Sequence, residues 1–453
     1  MAEKPAGLIY GVDDVPPWPA LSLLAVQHIF LMSSSLVLPI VLVSEIGGDF
    51  KQVMAVVALI MIACGIGTIL QAMRWRGIGS GFLCPNLCGP NFFAASMAAA
   101  WLGGLPLMRG MTIVAGIVEI IFARFVHRLA FLFPTEITGL VVFMVGVSLV
   151  PVGAAKFLHI DYTGEPILVS SALVAGATLM VLVGLNVWGS SRLRLYGVLI
   201  GMAFGYTLSA LMGLMPTGQF QRVLEAPWVG IPTLTGAFDL DFRWSLVPVF
   251  VIVSICGALK SFGNLVMCEK VNDDKWTKPD TKRIGDGLVA DGIAVTVSGV
   301  IGGVASDTSS SNVSLSAATG ATSKWIGVAA GALFIALGFS PKLSALLSIM
   351  PAPVVGAIVV FVVCFMMMAG LQIILSAKPD TRRIFVIGVA LCFGLSLDIL
   401  PELYSHLTPW VRPLFESSLT LATVIAVALN QLLRAEKALQ LRRKPAPAAE
   451  AAG

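Results

Sequence analysis

Stretches of about twenty consecutive apolar residues, long enough to cross the hydrocarbon core of a bilayer, recur along the whole chain. The first, Ala20 to Val43, carries no formal charge other than a possible one on His28. It is too long and too far from the start to be a cleaved leader. Only 12% of the residues are charged, against about a quarter in soluble domains, so a water-soluble fold is excluded. In lipid every backbone N–H and C=O has to be satisfied within the protein, which leaves the α-helix as the element such segments form.

Hydropathy places segments at 20–43, 52–72, 82–100, 107–123, 135–154, 166–188, 195–215, 244–268, 285–304, 311–321, 325–341, 352–376, 382–400 and 415–433. With the amino terminus inside, 21 of the Lys and Arg residues fall on the cytoplasmic side and 7 on the other, and Lys260 lies within a span. That asymmetry fits fourteen crossings with both termini in the cytoplasm of a cell (inner) membrane. The connection 215–243 divides the chain into two sets of seven spans, which predicts a 7+7 inverted repeat. The third span of each set is irregular. One reads Gly81 to Asn91, with Pro85, Gly89 and Pro90; the other reads Ser306 to Ser314, nearly all Ser, Thr and Asn. Neither makes a lipid-facing helix, so spans 3 and 10 are expected to be broken around a protein-lined cavity. The tail from Lys444, rich in Pro and Ala, reads as disordered.

Lys260 stands in the middle of the eighth span, where a charge is costly and therefore functional by default. Its ammonium can donate to an anionic or carbonyl-bearing solute or pair with a carboxylate, the nearest in sequence that could partner it being Asp291 in span 9. Asn264, at i+4, shares its helical face. Asp291 can also carry a proton, as can the imidazole of His28 near neutral pH. Glu119 in span 4 is a third intramembrane acid with no assigned role. The seven cysteines and four histidines form no cluster with zinc spacing, and Cys84 and Cys88 read as small packing residues. No nucleophile with a base, phosphate loop or ATP-binding motif is present, so an enzyme or ATP-driven pump, a cofactor or a nucleic-acid partner is not expected.

Leu8 to Pro17, the Gln27–His28 pair, the Gly81, Pro85, Gly89 pattern and Ala290-Asp291-Gly292, in this order and spacing, resemble the nucleobase–ascorbate transporter family of uracil/xanthine permeases. The resemblance covers nearly the whole chain. The family's span-10 signature falls on Ser311 to Gly320, keeping Asn312, Thr319 and Gly320 but placing Ser at 311 and 314. In span 8 the family's substrate-binding Glu falls on Lys260 and its polar Asp or His on Asn264. A carboxylate accepts from the ring N–H groups of a base, whereas Lys only donates.

The resemblance implies a solute held between spans 3 and 10 with span 8 behind it, by Lys260, Asn264, Ser310, Ser311, Asn312 and Ser314, with Phe92 stacking on the base. It implies a core domain (20–132 and 244–345) moving against a gate domain (133–243 and 346–433), with cytoplasmic tails 1–19 and 434–453. Proton or sodium coupling through Asp291 or His28, and a homodimer formed through the gate, belong to the same expectation. Purines, xanthine, urate or uracil are the expected solutes; bicarbonate, sulfate or a carboxylate on the same fold is the alternative that a central Lys suggests.

Overall fold

The computed structural model describes residues 8–129, 134–158, 168–215, 219–233, 239–375, 380–404 and 418–443, together with residues 5 and 415. The tail from Lys444 lies outside the described residues. Helices dominate: α1 (Trp18–Ser33), α2 (Val37–Glu45), α3 (Phe50–Ala72), α4 (Phe93–Leu129), α5 (Thr135–Leu158), α6 (Val169–Val187), α7 (Ser191–Leu211), α8 (Gln219–Glu225) and α9 (Val247–Asn272) come first. There follow α10 (Thr281–Ile301), α11 (Ser310–Thr319), α12 (Lys324–Gly338), α13 (Pro341–Ser348), α14 (Ala352–Leu375), α15 (Thr381–Ile399) and α16 (Ser418–Arg443). Two three-residue strands, β1 (Asn86–Cys88) and β2 (Ser306–Thr308), are embedded among them.

Among the described residues eight helices are long and apolar enough to cross a membrane, or nine if α12 and α13, bent by 80° from each other, form one span. The difference from fourteen segments has local causes. The third and fourth expected segments run together in α4, kinked at Gly103 and Gly104, where Gly104 has φ 69 and ψ −166. Span 10 ends in the ten-residue α11, too short to cross alone. Apolar side chains point outward as well as inward: Val169, Leu173 and Met180 of α6 are mostly exposed, as lipid contact requires and water would penalise.

Helix ends are fixed by ordinary caps. Asp49 and Gln52 close a capping box on α3, Asp280 accepts from the N–H groups of Lys282 and Arg283 at the start of α10, and Ser309 accepts from Asn312 N at the start of α11. At the other end of α10 the buried Arg109 donates to the carbonyls of Gly299 and Val300, which have no intrahelical partner.

The packing repeats between the two halves of the chain. Helix α3 packs on α12, and α4 packs on α10, while α5 and α14 pack on each other. In the first pair a Cβ on Gly65 would lie 2.6 Å from the carbonyl oxygen of Gly331, and one on Gly331 2.7 Å from that of Gly65. The second pair repeats the arrangement, with Gly116 at 2.6 Å from the oxygen of Gly292 and Gly292 at 2.9 Å from that of Gly116. Two turns further along, Gly338 meets Ala58 and Gly299 meets Arg109 in the same way. Such backbone approach is how helices associate where no hydrophobic force drives them together.

Between these helix pairs β1 and β2 lie antiparallel, with Asn86 opposite Thr308, Leu87 opposite Asp307 and Cys88 opposite Ser306. The amino-terminal segment straps onto the corner after α11. Ile9 N donates to Gly320 O at 2.8 Å, and Tyr10 and Val12 accept from the N–H groups of Thr322 and Lys324 at 2.8 and 2.9 Å.

Candidate functional site: a buried polar network around paired strands

The two short strands each lead directly into a helix N-terminus, at Phe93 for β1 through the turn Pro90–Phe92 and at Ser310 for β2. The positive ends of two helix dipoles therefore gather at the centre of the protein, beside α9. Pro85 and Ala305 accept from Ser309 N and Gly89 N, each at 2.8 Å, extending the pairing beyond the strands. Side chains anchor the ribbon: Thr68 accepts from Asn86 N at 3.0 Å and Ser35 from Cys88 N at 3.1 Å.

Lys260, one-sixth exposed at 16%, donates to both carboxylate oxygens of Asp307 at 2.9 Å, and Asp307 is wholly buried. Asn91 Nδ2 donates to the same carboxylate at 2.7 Å. The expected partner, Asp291, is not paired with Lys260. It instead accepts from Asn86 Nδ2 at 2.7 Å and from Ser261 Oγ. The reason is the strand pairing, which brings Asp307 to α9 from 47 residues away, while Asp291 faces β1 from α10.

Around Asn264 the network continues. Its amide donates to Thr308 Oγ1 at 2.9 Å, Thr308 Oγ1 donates to Ser261 Oγ at 2.7 Å, and Asn264 Oδ1 accepts from Ser310 at 2.8 Å. His28 Nδ1 and Asn312 Oδ1 are 2.7 Å apart, and Asn312 Nδ2 donates to Ser309 Oγ at 2.8 Å. Thus Lys260, Asn264, Asp291, Ser310, Asn312 and His28 converge from four separate stretches of chain. Ser311 and Ser314 stand on the exposed side of α11, outside this network. Phe92 is fully buried, its ring edge against Gly257 of α9 and against Gly89.

Asp307, Ser261, Asn86, Asn91 and Thr308 were not among the residues singled out from sequence. The signal for Asp307 was present: one acid within a Ser/Thr-rich stretch at membrane depth, in a chain with one mid-span Lys to balance. The consequence for chemistry is a charge-balanced centre. Lys260 retains one N–H beyond the two given to Asp307, so toward a solute it is a single, partly exposed donor rather than an unmatched cation.

The model of a family described as a permease family matches residues 19–403. Xanthine permease XanP of Escherichia coli (strain K12) is 26% identical over 447 residues, covering 95% of this chain and 95% of XanP. Uric acid permease PucJ of Bacillus subtilis (strain 168) is 28% identical over 440 residues, 94% of this chain and 96% of PucJ. The transmembrane domain of a cyanobacterial bicarbonate transporter, BicA, superposes with TM-score 0.57 at 13% identity, covering 93% of this chain and 99% of that domain. At that identity the likeness is one of fold alone.

Proposed function

Because this chain belongs to the permease family, the uracil/xanthine permease group that its sequence resembles, we propose that it carries an oxopurine such as xanthine or urate, or a pyrimidine such as uracil, across the inner membrane. It is a membrane transporter and not an enzyme; what it does to its solute is bind and release it. The names of XanP and PucJ support the nucleobase class. The solute sits at the exposed rim of the network, between the starts of α4 and α11, with α9 behind it and the buried Phe92 packed beneath. Spans 1–4 and 8–11 form the moving core and spans 5–7 and 12–14 the gate, through which two copies associate. Alternating access is elevator-like, with a proton taken along with the solute through Asp291, His28 or both. The basic residues of the inner loops support both termini in the cytoplasm.

The observation that carries the solute preference is the donor character of the rim. Lys260 offers one remaining N–H and Ser311 a hydroxyl, both of which suit the carbonyl oxygens of an oxopurine, while the Ser310 hydroxyl, given to Asn264, is left to accept from a ring N–H. Adenine, which presents an exocyclic amine and no carbonyl, is a poor match. An inorganic-anion reading depended on Lys260 as an unmatched cation, and Asp307 removes that basis.

Thermal unfolding of the detergent-solubilised protein tests this, because a ligand that binds only the folded state raises the midpoint. Xanthine, urate or uracil should raise it and adenine should not, and cells lacking other nucleobase permeases should gain uptake of the same solutes. Shifts confined to bicarbonate, sulfate or carboxylates would overturn the proposal.

A further inference from the structure

Glu119 of α4 is wholly buried, and neither of its carboxyl oxygens meets a hydrogen-bond donor among the described residues. Three ionisable groups lie near enough to act on it electrostatically: Asp291 of α10, Asp307 of β2 and Lys260 of α9. The backbone contact between Gly116 and Gly292 accounts for the encounter, since Glu119 lies one turn after the first glycine and Asp291 directly before the second. Lys260 is held by both oxygens of Asp307, so the cation nearest the two acids is already matched.

Three buried carboxylates against one ammonium would leave two uncompensated negative charges in a water-poor interior, at a cost of several kcal/mol for each. Two carboxylate oxygens are both acceptors, so the one thing that joins them favourably is a proton. Apposed carboxyls settle in this way, one ionised and one not. Asp291 already accepts from Asn86 and Ser261, which favours its ionised form, and Glu119 has no such donor.

We propose that Glu119 and Asp291 form a shared-proton acid pair, and that Glu119 stores the proton that travels with the solute. This rests on the proton-symport reading above. The route by which the solute is felt is also in place. Ser310 donates to Asn264, Asn264 to Thr308, Thr308 to Ser261 and Ser261 to Asp291. Every bond in this chain runs in the same direction, from the exposed rim to the acid pair, and such chains polarise as a unit. A solute that engages the Ser310 hydroxyl therefore changes the support that Asp291 receives.

The test separates proton handling from packing. In proteoliposomes a one-unit pH gradient drives about tenfold accumulation for one proton per solute. E119Q, nearly the same shape but without an acidic proton, should fall to about onefold while still exchanging labelled for unlabelled xanthine. E119D, shorter but acidic, should keep accumulation above onefold. A packing role predicts the reverse order, and accumulation by E119Q equal to wild type would overturn the proposal. Infrared spectroscopy gives a readout that needs no solute and holds even if wild type moves no nucleobase. At neutral pH a protonated-carboxyl band should shift on isotopic labelling of glutamate and be missing from E119Q. If E119Q does not fold, the same band in E119D should respond to labelled aspartate instead. Absence of a glutamate-sensitive band from wild type would sink the acid pair whatever the transport result.

Discussion

Lys260 and Asp307 form a closed ion pair, and the pairing sets what substitutions can do. Asp307→Asn leaves a largely buried ammonium with no counter-charge, and we expect a loss of about 3–5 kcal/mol in stability, read by chemical or thermal unfolding. Lys260→Glu alone places a second carboxylate against Asp307 and should be at least as damaging. The pair K260E with D307N removes that repulsion and should recover much of the loss, a coupling that a double-mutant cycle measures directly. Little or no recovery in the double variant would mean that the two side chains are energetically independent. At this scale the sequence was partly legible. Lys260, Asn264 and Asp291 stood out because charge and amide groups are rare in apolar helices. Asp307 carries the same kind of signal, but its meeting with Lys260 depends on a strand pairing that no local pattern encodes.

The elements divide into those with a sequence period and those without. Apolar helices announce themselves by length, and the irregular stretches around Pro85 and Ser309 by composition. Strands of three residues are too short to show alternation, so β1 and β2 and their register could not be read. The glycine crossings were equally silent, since a glycine in an apolar helix looks the same whether it faces lipid or a neighbouring backbone. Their effect is testable: Gly331→Ala and Gly116→Ala each force a methyl group against a carbonyl oxygen and should destabilise by about 1–3 kcal/mol. Gly176, with nothing within 4 Å, serves as the control and should tolerate alanine with little change.

For the whole molecule, the basic-residue asymmetry and the fourteen segments read from hydropathy lead to the expectation that both termini lie on one side. Reporter fusions to the two ends should report the cytoplasm in both cases; opposite sides would require an odd number of crossings and a recount of helices α7, α11 and α15. That count is the part of the architecture that hydropathy resolves least well, because these helices are short or carry charges near their ends.

The central ribbon joins residue 86 to residue 308, which gives it a timetable. At about 5–20 residues per second, roughly 10–40 seconds of synthesis separate the first strand from the second. During that interval β1 has its edge open, with Leu87 and the amide of Asn86 lacking the partners that the later half supplies. The first half thus waits in the bilayer as an incomplete body, dependent on whatever shields it until its counterpart emerges from the ribosome. The amino-terminal strap waits longer still, for residues 320–324, and docks only once the second half is being made.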